Sequence, residues 1–245
     1  MDFNYLIFVI IIPTLILIFF LYNFNKLGEY PTPLPISQNP KKEYIEAVTY
    51  TLIAILYFTL DIFILSRFNN SLGITLIFST IMLLLIPSII ANYRDQWTSK
   101  DFGFTSEVKS KGIVILGILF YAIFGFKNTF MVEVPWYLLL SLIYSNAFLE
   151  EFLFRGIIQS KLERAIGQKK AIIFQGIFFM SVHIPVNCFN FFLDGNSLRL
   201  ISAFLFQLIN GFIFGLIFMK TRNLWISVIC HYLNNWFGAI ITLFL

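Results

Sequence analysis

Charge is what this sequence has least of. Only 12% of its 245 residues are Asp, Glu, Lys or Arg, and 58% are apolar, against roughly 25% charged and about 45–50% apolar in a soluble domain. A water-soluble monomer is excluded on that ground, and no soluble domain is visible anywhere along the chain. Cysteine and histidine occur twice each. Cys188 and Cys230 form no CxxC or other ligand spacing, so both read as free thiols that pack as small apolar residues. Three hydrolase signatures are also missing. There is no HExxH for a zincin, no GxSxG for a serine nucleophile, and no GxGD of the kind an intramembrane aspartyl protease would carry.

What is present in quantity is apolar sequence, with 31 Phe and 11 Tyr suited to lipid contact. A bilayer core of ~30 Å needs about 20 apolar residues in a helix. Eight such runs are read here, approximately Tyr5 to Tyr22, Ala47 to Ser66, Gly73 to Ala91, Gly112 to Phe126, Trp136 to Ile158, Ala171 to Phe191, Leu200 to Met219 and Leu224 to Leu245. The expected fold class is all-α: a polytopic membrane helical bundle of about eight transmembrane helices, forming one integral membrane domain over residues 1–245. The first run lacks a basic leader and a small-residue cleavage site, and so resembles an uncleaved anchor. Four prolines in Tyr30 to Pro40 make that stretch a linker.

Thirteen of the 17 Lys and Arg residues fall in the first, third, fifth and seventh loops, three (Arg67, Lys127, Arg199) on the other side, and Arg155 within a run. By the positive-inside rule the odd loops are cytoplasmic and both termini lie outside. A bacterial plasma membrane is the expected location, membrane lipid an expected partner, and nucleic acid not one.

Ionisable groups inside a membrane are costly and point to function. The fifth run contains Glu150, Glu151 and Arg155, the sixth His183, and the eighth His231, Asn234 and Asn235. Glu151 and Arg155 are four apart and share a face, as are His231 and Asn235. Glu150 is rotated from Glu151 by about 100° and points elsewhere. Glu150, His183 and His231 lie 8, 12 and 7 residues from the cytoplasmic ends of their runs, or roughly 12, 18 and 10 Å deep. They converge on one band on the cytoplasmic side of the midplane. Pro185, two residues after His183, should kink the sixth helix at that level.

A carboxylate beside an imidazole can take a proton from water and pass it to a leaving amine. A second imidazole and a carboxamide can hydrogen-bond a tetrahedral oxyanion. Equally, Glu150, His183 and His231 suffice for a two-histidine, one-carboxylate metal site, so a zinc mechanism and a metal-free glutamate mechanism both stay open. Asn146, Gln175, Gln207 and Asn210 read as hydrogen-bonders between helices, and Asp61 as an interfacial residue that snorkels.

In order and on separate late runs, EEFLFR (Glu150 to Arg155) fits EExxxR, FMSVH (Phe179 to His183) fits FxxxH, and HYLNN (His231 to Asn235) fits HxxxN. The sequence thereby resembles the CPBP family of intramembrane proteases, also called the Abi or type II CAAX-prenyl-protease family, with a family-like core at about 136–245. The resemblance implies an endopeptidase acting on a membrane-associated or lipidated protein or peptide. In bacteria it implies pheromone or bacteriocin maturation, or self-immunity. It also implies that Glu150 and His183 activate water, that His231 and Asn235 stabilise the oxyanion, and that Glu151 and Arg155 support them. The family's naming as metalloproteases adds a divalent metal as a cofactor to be tested. Two other classes compete: a non-enzymatic membrane regulator or immunity protein, and a proton-coupled transporter, for which no inverted repeat is visible.

Overall fold

The computed structural model describes residues 10–23, 26, 33–63, 72–107, 110–126, 135–192 and 197–242. The start of the first run at Tyr5, the linker residues 30–32, Arg67, Lys109, Lys127 and the last three residues lie outside them. Among the described residues the chain is helical throughout its regular structure, with no strand.

Among the described residues each of the eight apolar runs contains helix. We label them α1 (Ile12–Asn23), α2 (Pro40–Phe63), α3 (Gly73–Asp95), α4 (Lys111–Phe126), α5 (Trp136–Ile166), α6 (Gln168–Val182) with its continuation α7 (Ile184–Phe191), α8 (Ser197–Thr221) and α9 (Leu224–Thr242). Four of these, α2, α3, α5 and α8, are long and apolar enough to cross a membrane, and five if the bent pair α6–α7 counts as one span. Helices α1 and α4 are apolar but shorter. The chain is an integral membrane protein. Large apolar side chains such as Leu15, Leu52, Ile77, Ile123 and Leu205 face outward, as lipid contact requires.

The predicted kink is present. α6 and α7 meet at 42°, with the break at His183 and Pro185 in the first turn of α7. Proline has no N–H to donate to the preceding turn, so the chain bends there.

Among the described residues two large apolar cores form, beside a small cluster around Leu139. One gathers α2, α3, α5 and α6, and the other α1, α4, α8 and α9. Helix α5 lies between its neighbours so completely that every residue from Leu149 to Glu163 is buried. It is longer than the apolar run predicts, passing Ile158 and ending only at Ile166. The extra turns, Ser160–Ile166, are made of residues compatible with helix, and their charges find partners. Lys161 is fully buried with its Nζ 2.6–2.9 Å from Glu43, Glu46 and Asp95, and Glu163 pairs with Arg222.

Helices α6 and α8 cross with backbones nearly touching. A Cβ on Gly211 would sit 2.9 Å from the Cα of Gly176, so this crossing depends on both glycines. Small residues at a membrane helix contact allow such an approach.

Candidate active site

The two glutamates stand on a single α-helical turn, Leu149–Glu151, between π-helical stretches at Ile143–Phe148 and Phe152–Gln159. Wide turns of this kind interrupt the regular ladder and recur at functional sites. They leave Glu150 and Glu151 facing different neighbours, as their 100° offset predicts.

Glu151 is fully buried and is the hub of one network. Its Oε1 accepts from Arg155 Nη1 at 3.0 Å and lies 2.8 Å from His231 Nδ1. Arg155, also fully buried, donates through Nη2 to the Gly211 carbonyl and is flanked by the rings of Phe179 and Phe214, 4.5 and 5.1 Å from its guanidinium carbon. Without Gly211 the α8 carbonyl could not come so close. The cation therefore has a carboxylate, a carbonyl and two π-faces in place of water, which is what a buried charge requires.

Glu150 belongs to a second pair. Its Oε2 is buried without a hydrogen bond and lies 3.7 Å from His183 Nε2. His183 Nδ1 is 2.7 Å from the Phe179 carbonyl. A carbonyl only accepts, so Nδ1 carries the proton and the neutral ring turns its Nε2 lone pair toward Glu150. By the same reasoning His231 donates Nδ1–H to the Glu151 carboxylate, and its Nε2 is the atom left for chemistry.

Phe179 ties the two pairs together. Its ring lies 4.8 Å from that of His183 and 6.1 Å from that of His231, and His231 stacks on Phe214 at 5.0 Å. The site sits where the two cores meet. The expected coming-together of the fifth, sixth and eighth runs at one level is thus seen as contacts. Asn235 is half-buried; its Oδ1 accepts from Asn234 Nδ2 at 2.7 Å, which leaves its own amide N–H groups to donate. Of the other polar residues singled out, Asn210 bridges helices, accepting from the Tyr121 hydroxyl at 2.9 Å.

Helical spacing gives Glu151 only Arg155 as a partner. Its bond to His231 joins residues 80 apart, and no local spacing signals it. Phe58 on α2 is likewise invisible to sequence reasoning, and its ring lies 5.6 Å from that of His183. The Phe179–His183 contact, by contrast, follows from the four-residue spacing of FxxxH.

A metal has the right donor types here, two imidazole Nε2 atoms and a carboxylate, with both Nδ1 atoms held by hydrogen bonds as they usually are in metal-ligating histidines. The distances do not suit a single ion. Among the described residues, only Glu43, Glu46 and Asp95 bring three ligand atoms within 4.8 Å of one another, and the Lys161 ammonium already occupies that trio.

Residues 131–237 match the family model described as type II CAAX prenyl endopeptidase Rce1-like. This part of the chain is similar to the Rce1-like family. The family is one of intramembrane proteases, and the matched region holds Glu150, Glu151, Arg155, His183, His231 and Asn235. Helices α1 to α4 lie outside the Rce1-like match, although Phe58 on α2 reaches its site. No curated protein and no solved structure gives a significant match.

Proposed function

We propose that the protein hydrolyses a peptide bond of a membrane-associated or lipidated peptide, using water activated by Glu150 and His183. The observation that carries this reading is the Glu150 Oε2 atom, buried, without a hydrogen bond, and 3.7 Å from an imidazole lone pair. Two acceptors so placed are suited to a water that donates to both.

Glu150 removes a proton from that water as its oxygen bonds to the scissile carbonyl carbon, and the carbonyl electrons move onto oxygen. The oxyanion accepts hydrogen bonds from Asn235 Nδ2 and from His231, whose Nε2 donates when the ring is protonated. Glu151 favours that imidazolium as the carboxylate of a hydrolytic triad does. Collapse of the intermediate breaks the C–N bond while Glu150 returns its proton to the amine, leaving a carboxylic acid and an amine. Arg155 fixes the Glu151 carboxylate through their ion pair. No step runs through a metal.

We place the site in the half of the membrane nearer the odd, lysine-rich loops, with both termini on the other side; that rests on the charge count. The test is cleavage of a lipidated peptide by the purified protein in detergent, with zinc content measured on the same sample. Glu150→Gln should lower kcat by about 10²–10⁴-fold, and His231→Ala should also lose cleavage, both remaining folded. Undiminished cleavage by Glu150→Gln would end this assignment, and stoichiometric zinc lost together with activity would replace the metal-free scheme.

A further inference from the structure

Away from Glu150 and His183, a cleft of about 490 Å³ opens between the first turns of α2 and the last turns of α3. Both are membrane-length helices, so the cleft lies at the level where they leave the bilayer. Its walls carry three cations, Lys41, Lys42 and Arg94, against one carboxylate, Glu46. That carboxylate is neutralised within the protein, by Arg94 and by Lys161 at 2.7 Å from behind. Lys42 is held by Asp95 at 2.6 Å. Lys41 is exposed and has no partner among the described residues.

A second observation points to a ligand. Tyr50 lines the same cleft, is only 2% exposed, and its buried hydroxyl has no hydrogen-bond partner. A buried hydroxyl without an acceptor is costly. Below the cleft the outward faces are apolar: Ile45, Leu52 and Leu56 along α2, Leu85 and Ile89 along α3. An excess cation, an unsatisfied donor and two apolar stripes leading into the membrane match one chemistry, a phosphodiester carrying acyl chains.

We propose that this cleft binds the headgroup of an anionic membrane phospholipid, with Lys41 and the Tyr50 hydroxyl contacting the phosphate and the acyl chains following the two stripes. The stripes favour a lipid over a soluble phosphate. A cation is disfavoured because Lys161 already fills the carboxylate trio. The inference is independent of the proteolytic reading.

The test is native mass spectrometry of the full chain in neutral detergent, titrated with phosphatidylglycerol, phosphatidylcholine or glycerol 3-phosphate. Wild type should retain phosphatidylglycerol over phosphatidylcholine, and glycerol 3-phosphate should not displace it. Reversing one interfacial charge in Lys41→Glu should weaken phosphatidylglycerol binding by about tenfold or more. Tyr50→Phe, which keeps the volume and removes only the hydroxyl, should weaken it several-fold, and neither substitution touches the Lys161 ion pairs. Equal retention of the two lipids, or unchanged binding by both variants at unchanged thermal stability, would overturn the proposal. Displacement by glycerol 3-phosphate at similar concentration would also overturn it, by showing a soluble anion site.

Discussion

At the scale of single residues the site divides into a buried scaffold and a reactive pair. Glu151, Arg155 and the Nδ1 face of His231 form the scaffold, closed to water and joined by hydrogen bonds that leave only Glu151 Oε2 and Arg155 Nε unpartnered, whereas Glu150 Oε2 has no hydrogen bond and faces His183 Nε2. Removing one member of a buried pair costs more than the pair contributes, because the survivor stays charged without a partner. Glu151→Gln should therefore destabilise the fold by about 3–5 kcal/mol through Arg155, measured as a loss of thermal or denaturant stability in detergent. Adding Arg155→Met should restore much of the stability but not the activity, since His231 would still lack its carboxylate. Recovery of both would mean that Glu151 serves only to hold the arginine.

Between elements, two kinds of contact set the geometry. The α6–α8 crossing is steric: Gly211→Val would drive a branched side chain into the α6 backbone at Gly176. Overpacking of this kind costs typically about 1–3 kcal/mol, and here it also withdraws the carbonyl bonded to Arg155. A melting temperature unchanged from wild type would contradict the close approach. The second kind is electrostatic and lies outside the spans. Asp101, in the loop between α3 and α4, is partly buried, which alone would raise its carboxyl pKa. The Thr98 backbone N–H and hydroxyl and the Arg164 guanidinium outweigh this and hold it below the ordinary value. A lowered carboxylate stabilises the fold fully above the unfolded-state value of about 3.9 and loses that contribution as pH falls through the folded-state value. Stability should thus be flat with respect to this group from neutrality down to about pH 4 and fall below it. In Asp101→Asn that part of the acid transition should be absent.

For the whole molecule, the apolar runs mark the helices among the described residues, apart from the Ser160–Ile166 end of α5, and the charges within those runs single out Glu150, Glu151, Arg155 and both histidines, which the fold brings near one another. Contacts between distant segments are not legible, because no periodicity encodes them. Lys161 counts as a loop cation by hydropathy, and only packing against α2 and α3 reveals that it is buried. Phe58 reads as one more lipid-facing aromatic until α2 is laid against His183. These contacts tie the matched region to helices outside it. A fragment beginning at residue 131 should consequently fail to form an active site, and co-expression with residues 1–130 should restore cleavage if the halves associate. Full activity of the fragment alone would show that Phe58 and the Lys161 cluster are dispensable.

The position of Lys161 also has a consequence for biosynthesis. The chain emerges from its amino end, so Glu43, Glu46 and Asp95 exist before the ammonium that joins them, and Lys161 follows Asp95 by 66 residues. Of the cations already made by then, Lys42 and Arg94 are the ones that pair with Glu46 and Asp95 in the folded protein. Only when the end of α5 has been made does the chain hold the ammonium that joins the three carboxylates, so the packing of α2 and α3 seen in the folded protein cannot be completed by the first half of the chain alone.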